Sequence, residues 1–246
     1  VFLCAVITII NPSFMTFSNL MDVFRTASYY LIVGAPLTLL LISADMDLSI
    51  GAVTALGGVC CMFAMRAGVP MVFSILIGLA AGALVGMLKA WIIVDCGLPA
   101  LIVTLGIQYA VNGIVSITTR GMSVSGATKA FKVLGQGRIF GKIYLTVIIA
   151  LVIAVIFQLI LSKTKYGRSL FAVGGNPETA RLAGIPVKKR RKEIHVIVSI
   201  FAALTGILMA SRFSSAQANA GAGTELTVMA AVIIGGTSLF GGSGSV

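Results

Sequence analysis

Six stretches of eighteen or more residues contain no Asp, Glu, Lys or Arg: Thr26–Ala44, Leu48–Met65, Ala67–Leu88, Cys96–Thr119, Ile143–Ser162 and Ile194–Ser211. At 1.5 Å per residue, about 20 apolar residues span the hydrocarbon of a bilayer, so each run is long enough to cross one. In lipid every backbone N–H and C=O must be satisfied internally, which leaves helices or a closed barrel. Strand-like alternation over ten-residue blocks is absent, so a barrel is excluded. Only 10% of the residues are charged, against about 25% in a soluble domain. The expected fold is an all-α polytopic transmembrane helical bundle, with residues 1–246 forming a single domain. Val1–Ile10 is too short to cross and reads as the tail of a further helix. Without an initiator Met, and with a Gly-rich stop at Gly241–Val246, the chain reads as a fragment truncated at both ends.

Between two of these runs lies a strongly basic segment, Ser162–Glu193, which holds nine of the eighteen Lys and Arg residues. Excess Lys and Arg favours the cytoplasmic side, so the loop over residues 162–192 is assigned there. Counting back places Gly121–Lys142 outside, Asp95–Gly97 inside, Arg66–Pro70 outside, Asp45–Asp47 inside and Asn11–Arg25 outside. Arg120, Lys129, Lys132, Arg138 and Lys142 in the external loop run against that bias.

Motifs for enzyme chemistry are missing. The sequence contains no G-x-x-x-x-G-K-[ST] phosphate loop, no H-E-x-x-H and no G-x-S-x-G elbow, so energy for uphill movement has to come from a partner or an ion gradient. Cys4, Cys60, Cys61 and Cys96 lack metal or redox spacing and read as small buried thiols. His195 has no His or Cys neighbour for a metal site and reads as helping to start its helix at the interface. No metal or cofactor is expected.

Several features describe packing. Gly78, Gly82 and Gly86 recur every fourth residue and bare one helix face for close approach. Pro36 sits within a span and predicts a kink; Pro99 suits a helix start. Asp47-Leu-Ser-Ile-Gly-Ala-Val-Thr-Ala-Leu-Gly-Gly58 aligns with Glu225-Leu-Thr-Val-Met-Ala-Ala-Val-Ile-Ile-Gly-Gly236, identical at four positions. Ala35-Pro-Leu-Thr38 likewise corresponds to Ala202-Ala-Leu-Thr205. With Asp47 inside and Glu225 outside, the two copies would be inverted, as in many transport proteins.

The basic segment also carries a local design. Asn176 can cap a short helix with Pro177 at its first position and Glu178 in its first turn. Ala180 and Gly184 would share one small face able to seat in a groove. The run Lys188–Lys192 reads as a solvated strip attracted to anionic headgroups. Within the spans, Thr104, Gln108 and Asn112 are the polar side chains to suspect, Gln108 and Asn112 lying one turn apart. Asp45, Asp47 and Glu225 read as caps of the helices that follow them.

Gly174-Gly-Asn-Pro-Glu-Thr-Ala-Arg-Leu-Ala-Gly184-Ile185 resembles the coupling segment of permease subunits of bacterial ABC sugar importers of the ribose type. Ser214-Ser-Ala-Gln217, Ala230–Gly242, Asp47-Leu-Ser-Ile-Gly51 and Asn11-Pro-x-Phe14 resemble that family's other blocks, in order. Glu178-Thr-Ala-x-x-x-Gly184 matches the start of the importer motif E-A-A-x-x-x-G, with Thr for the first Ala. The later I-x-L-P part is missing at its usual distance; Ile185-Pro186 follows at once.

The resemblance implies that the chain is a fragment of a larger, about ten-helix permease that does not itself hydrolyse ATP. It implies a homodimeric pore, an ABC ATPase subunit and an extracytoplasmic sugar-binding protein as partners, and no nucleic acid. It also implies ATPase-coupling roles for Gly174, Gly175, Asn176, Glu178, Ala180 and Gly184. A gradient-driven secondary transporter is the alternative; it would share the repeat but need an ionisable residue within the membrane, and the sequence places none mid-span. A scaffold protein would not need the capped loop.

Overall fold

The computed structural model describes residues 7, 8, 10–139 and 141–246; Cys4 and most of the tail-helix segment lie outside them. After a short 3-10 turn over Pro12–Met15, capped by Asn11, the helices are α1 (Phe17–Ile42), α2 (Ile50–Arg66), α3 (Met71–Val94), α4 (Ala100–Thr119), α5 (Lys129–Gln136), α6 (Leu145–Lys163), α7 (Lys165–Gly175), α8 (Pro177–Leu182), α9 (Val187–Phe213) and α10 (Thr224–Ile234). Among the described residues α1, α3, α4, α6 and α9 are long and apolar enough to cross a membrane. Large apolar side chains such as Phe73, Leu84 and Trp91 on α3, and Leu151 and Val155 on α6, face outward. A surface this apolar fits a lipid surround and not water. The chain is a multi-pass membrane protein.

Leu48–Met65 was expected to be a full span, but α2 begins only at Ile50 and has 17 residues. Asp47 Oδ1 accepts hydrogen bonds from the Ser49 amide (2.9 Å) and the Ser49 hydroxyl (2.6 Å). That local bonding competes with helix and delays its start.

The core forms where α9 crosses α2 and α3, and the glycine stripe makes that possible. A Cβ on Gly82 would lie 2.5 Å from the Ala203 methyl, and one on Gly86 2.9 Å from Ser199 Cβ. Gly57 meets Ala203 in the same way from α2. α1 continues helically through Pro36. His195 does not start a helix: α9 begins eight residues earlier, and the ring is buried. Cys61 is buried, but Cys96 is exposed.

Two ends can be distinguished. At one, Arg191 and Lys192 of α9 pair with Asp45 and Asp95, in the α1–α2 and α3–α4 connections. At the other, Arg212 bonds Thr26, and β1 (Val124–Ser125) pairs antiparallel with β4 (Ser215–Ala216). There α5 docks on α9: the Ser211 hydroxyl donates to the Phe131 carbonyl and accepts from the Gly135 amide. A second small hairpin joins β2 (Arg138–Ile139) to β3 (Ile143–Tyr144).

The repeat needs correction. Glu225 is not at the outer end: it lies inside the bundle against Gly51 and Gln108, because residues 217–223 turn back along α2. α2 leads away from the Asp45 end, whereas α10 leads to a tail laid on Ala44, Gly174 and Ile42, at that end. The two copies therefore run in opposite senses from interior starts. Gly57 and Gly58 sit inside α2, while Gly235 and Gly236 end α10.

Candidate functional site

Two regions carry the polar machinery. The first is the connection between α6 and α9. Thr164 caps α7 by accepting from the Gly167 amide at 3.1 Å. Asn176 Oδ1 accepts from the amides of Glu178 (3.0 Å) and Thr179 (2.9 Å), so it caps α8 as its sequence requires. Glu178 and Arg181 pair along the exposed face.

The predicted coupling residues divide into two groups. Gly175, Asn176, Glu178 and Gly184 are exposed. Gly174 and Ala180 point inward, so Ala180 and Gly184 do not share a docking face. Gly174 is a contact point: a Cβ there would lie 1.7 Å from the Ile42 carbonyl oxygen, the same oxygen that accepts from the Gly242 amide at 2.9 Å. Gly184 terminates α8 at φ +80°, a left-handed geometry that suits glycine. What projects from α8 is Leu182, an apolar side chain 79% exposed beside charged neighbours. It passed unnoticed in the sequence because a single Leu carries no signal until its burial is known.

The basic run is not a free strip. Arg191 clamps Asp45 through two bonds of 2.7 Å, Lys192 pairs with Asp95 at 2.6 Å, and Arg190 bonds Glu193 at 2.9 Å. The start of α9 is thus ionically tied to the connections that lead into α2 and α4. Burial pushes the Asp45 carboxyl up, but Arg191 and the His195 ring, 3.4 Å away, outweigh it and hold it at about 2. A carboxylate depressed in this way stabilises the fold above its unfolded value of 3.8 and loses that stabilisation as pH falls towards 2. The Tm difference between wild type and Asp45→Asn in detergent should therefore stay constant from pH 7 to about 4. Below that it should shrink by the equivalent of about 2 kcal/mol. A difference that persists unchanged to pH 2 would refute the clamp.

The second region lies within the bundle. A cavity of about 160 Å³ is lined by Gly51, Gln108, Asn112, Ser116, Asn219 and Gly221. Gln108, Asn112 and Ser116 fall at four-residue spacing on one face of α4. Gly51 and Gly221 bring two backbones together at its wall: a Cβ on Gly221 would lie 2.1 Å from the Gly51 carbonyl oxygen. Of the predicted pathway residues, Gln108 and Asn112 line this cavity. Thr104 does not; it is buried and donates to the Leu101 carbonyl of its own helix at 3.3 Å. Glu225, read from sequence as a cap, accepts from Gln108 Nε2 at 2.9 Å.

From the sequence no ionisable group is expected mid-span, yet Lys89 of α3 is fully buried, paired with Asp47 and 3.2 Å from the Ser49 hydroxyl. Lys89 bounds a charge-free run, so it passed as the end of a span. Among the described residues no cluster of His, Cys, Asp or Glu could hold a metal.

Comparison with known proteins bears on both regions. Residues 19–243 match the family model described as branched-chain amino acid transport system / permease component. The chain is 33% identical over 250 residues to the ribose import permease protein of Haemophilus influenzae, covering all of this chain and 77% of that one. It is 35% identical over 242 residues to the L-arabinose transport system permease protein of Escherichia coli, covering 96% and 71%. To the fructose import permease protein of Rhizobium meliloti it is 35% identical over 223 residues, covering 87% and 62%. No solved structure gives a significant match.

Proposed function

The chain belongs to the branched-chain amino acid transport system / permease component family, and on that premise we propose that it is the membrane-spanning subunit of an ATP-driven ABC importer in a bacterial inner membrane. It forms the pathway for a monosaccharide, ribose or a related sugar, delivered by an extracytoplasmic binding protein. A separate ATPase subunit hydrolyses ATP and docks on α7–α8 at the cytoplasmic end, and a second copy of the chain completes the pore. Amides and a hydroxyl line the cavity, groups that suit the hydroxyls of a sugar. Gln108, Asn112 and Ser116 contact the passing sugar; Thr104 does not.

The observation that carries the docking role is the capped α8 helix, which holds an exposed Leu182 on a rigid base. An isolated apolar side chain presented this way fits a partner's groove. Leu182→Arg changes an exposed position and leaves the left-handed glycine at 184 untouched, so it is the cleaner test. Co-purification of the cognate ATPase with the variant should fall roughly tenfold or more. Undiminished recovery would remove α8 as the docking site. The buried Lys89–Asp47 pair and Glu225 are what a gradient-driven transporter would use; uptake abolished by a protonophore while ATP is maintained would favour that reading.

A further inference from the structure

We propose that Glu225 is a positioning residue that fixes the orientation of the Gln108 amide and so sets what the intramembrane cavity recognises. Resting on the cavity reading above, this assigns the recognised group as a hydroxyl that donates a hydrogen bond.

Glu225 is only 8% exposed and sits where residues 217–223 fold back into the bundle. An ionised carboxylate offers acceptors only. Its Oε1 accepts a hydrogen bond from Gln108 Nε2 at 2.9 Å, and its Oε2, without a hydrogen-bond partner among the described residues, lies over Gly51. A Cβ on Gly51 would come within 2.4 Å of Oε2, so the backbone is bare where the carboxylate rests. With its NH2 held by Glu225, the Gln108 amide cannot flip, and its carbonyl oxygen is the atom left for the cavity. No donor among the described residues bonds that oxygen. The side chains of Asn112, Ser116 and Asn219 around the same cavity also make no hydrogen bonds to the described residues. A solute with several hydroxyls can satisfy such a set by donating to Gln108 and accepting from its neighbours. A site that reads a hydroxyl rejects an analogue lacking it, because its own polar group is left unpaired.

The test is uptake of radiolabelled D-ribose, L-arabinose and D-fructose by cells carrying each variant in the complete transporter, with permease in the membrane quantified. Glu225→Gln frees the Gln108 amide to flip, so KM for the transported sugar should rise about tenfold, more than Vmax falls. The swap Gln108→Glu/Glu225→Gln restores both the internal bond and an acceptor facing the cavity, and should return KM towards wild type. A KM unchanged in Glu225→Gln while Gln108→Ala raises it would overturn the positioning role and leave the pathway intact. If Gln108→Ala is also silent, the cavity reading falls and this proposal with it. Should the single variant fail to accumulate, the swap decides alone: a KM as high as that of Gln108→Ala would overturn the proposal.

Discussion

Replacing Lys89 with methionine should destabilise the fold by about 3–5 kcal/mol, because it leaves the Asp47 carboxylate buried without its counter-charge. Both side chains are fully buried, and the Lys89 ammonium also reaches the Ser49 hydroxyl. For a chain of this size the loss corresponds to a fall of roughly 10 °C in Tm, measured on detergent-solubilised protein. Neutralising both partners should recover most of it. In Lys89→Met/Asp47→Asn the asparagine carbonyl still accepts from the Ser49 amide, so α2 keeps its start. A single variant whose Tm stays within a few degrees of wild type would show that the pair does not hold α2 in place. The ion pair is not by itself a source of net stability, since desolvating two charges offsets much of their attraction. Its physical effect is to tie the start of α2 to α3, close to where Gly51 meets Gly221 beside the cavity.

Gly174→Ala should separate ATP hydrolysis from transport. The added methyl would overlap the Ile42 carbonyl oxygen, so α7 must move away from the end of α1 and from the tail at Gly242. Overpacking a tight contact costs about 1–3 kcal/mol, and here it falls on the junction between the helices proposed to dock the ATPase and the bundle. Sugar uptake per ATP hydrolysed in proteoliposomes should drop about tenfold while the ATPase still co-purifies, because Asn176, Glu178 and Leu182 keep their exposed positions. If co-purification is lost instead, Gly174 belongs to the docking face itself. If neither quantity changes, the contact carries no motion.

Much of this is legible in the sequence. Five of the six apolar runs mark spans, Leu48–Met65 being the exception, the spacing of Gly78, Gly82 and Gly86 identifies a close-packing face, and Asn176-Pro177-Glu178 announces a capped helix. Each is a local property, dictated by bilayer thickness, helical periodicity or backbone bonding within a few residues. Gln108 and Asn112 could be paired for the same reason, since four residues make one helical turn. Thr104 satisfies the same periodicity but does not line the cavity, and its hydroxyl bonds its own helix.

What escaped the sequence depends on residues far apart in the chain. Lys89 looked like the end of a span until Asp47, 42 residues away, was found beside it. The run Lys188–Lys192 looked solvated until Asp45 and Asp95 were found opposite Arg191 and Lys192. Glu225 looked like a cap until residues 217–223 carried it 117 positions back to Gln108. Sequence by itself determined that this chain is a helical membrane bundle with a capped basic connection, because lipid forces the backbone to satisfy itself locally. Tertiary structure alone decided which charges neutralise one another and which amides stay free, because a buried polar group is defined by its partner, and partners in a bundle come from different helices.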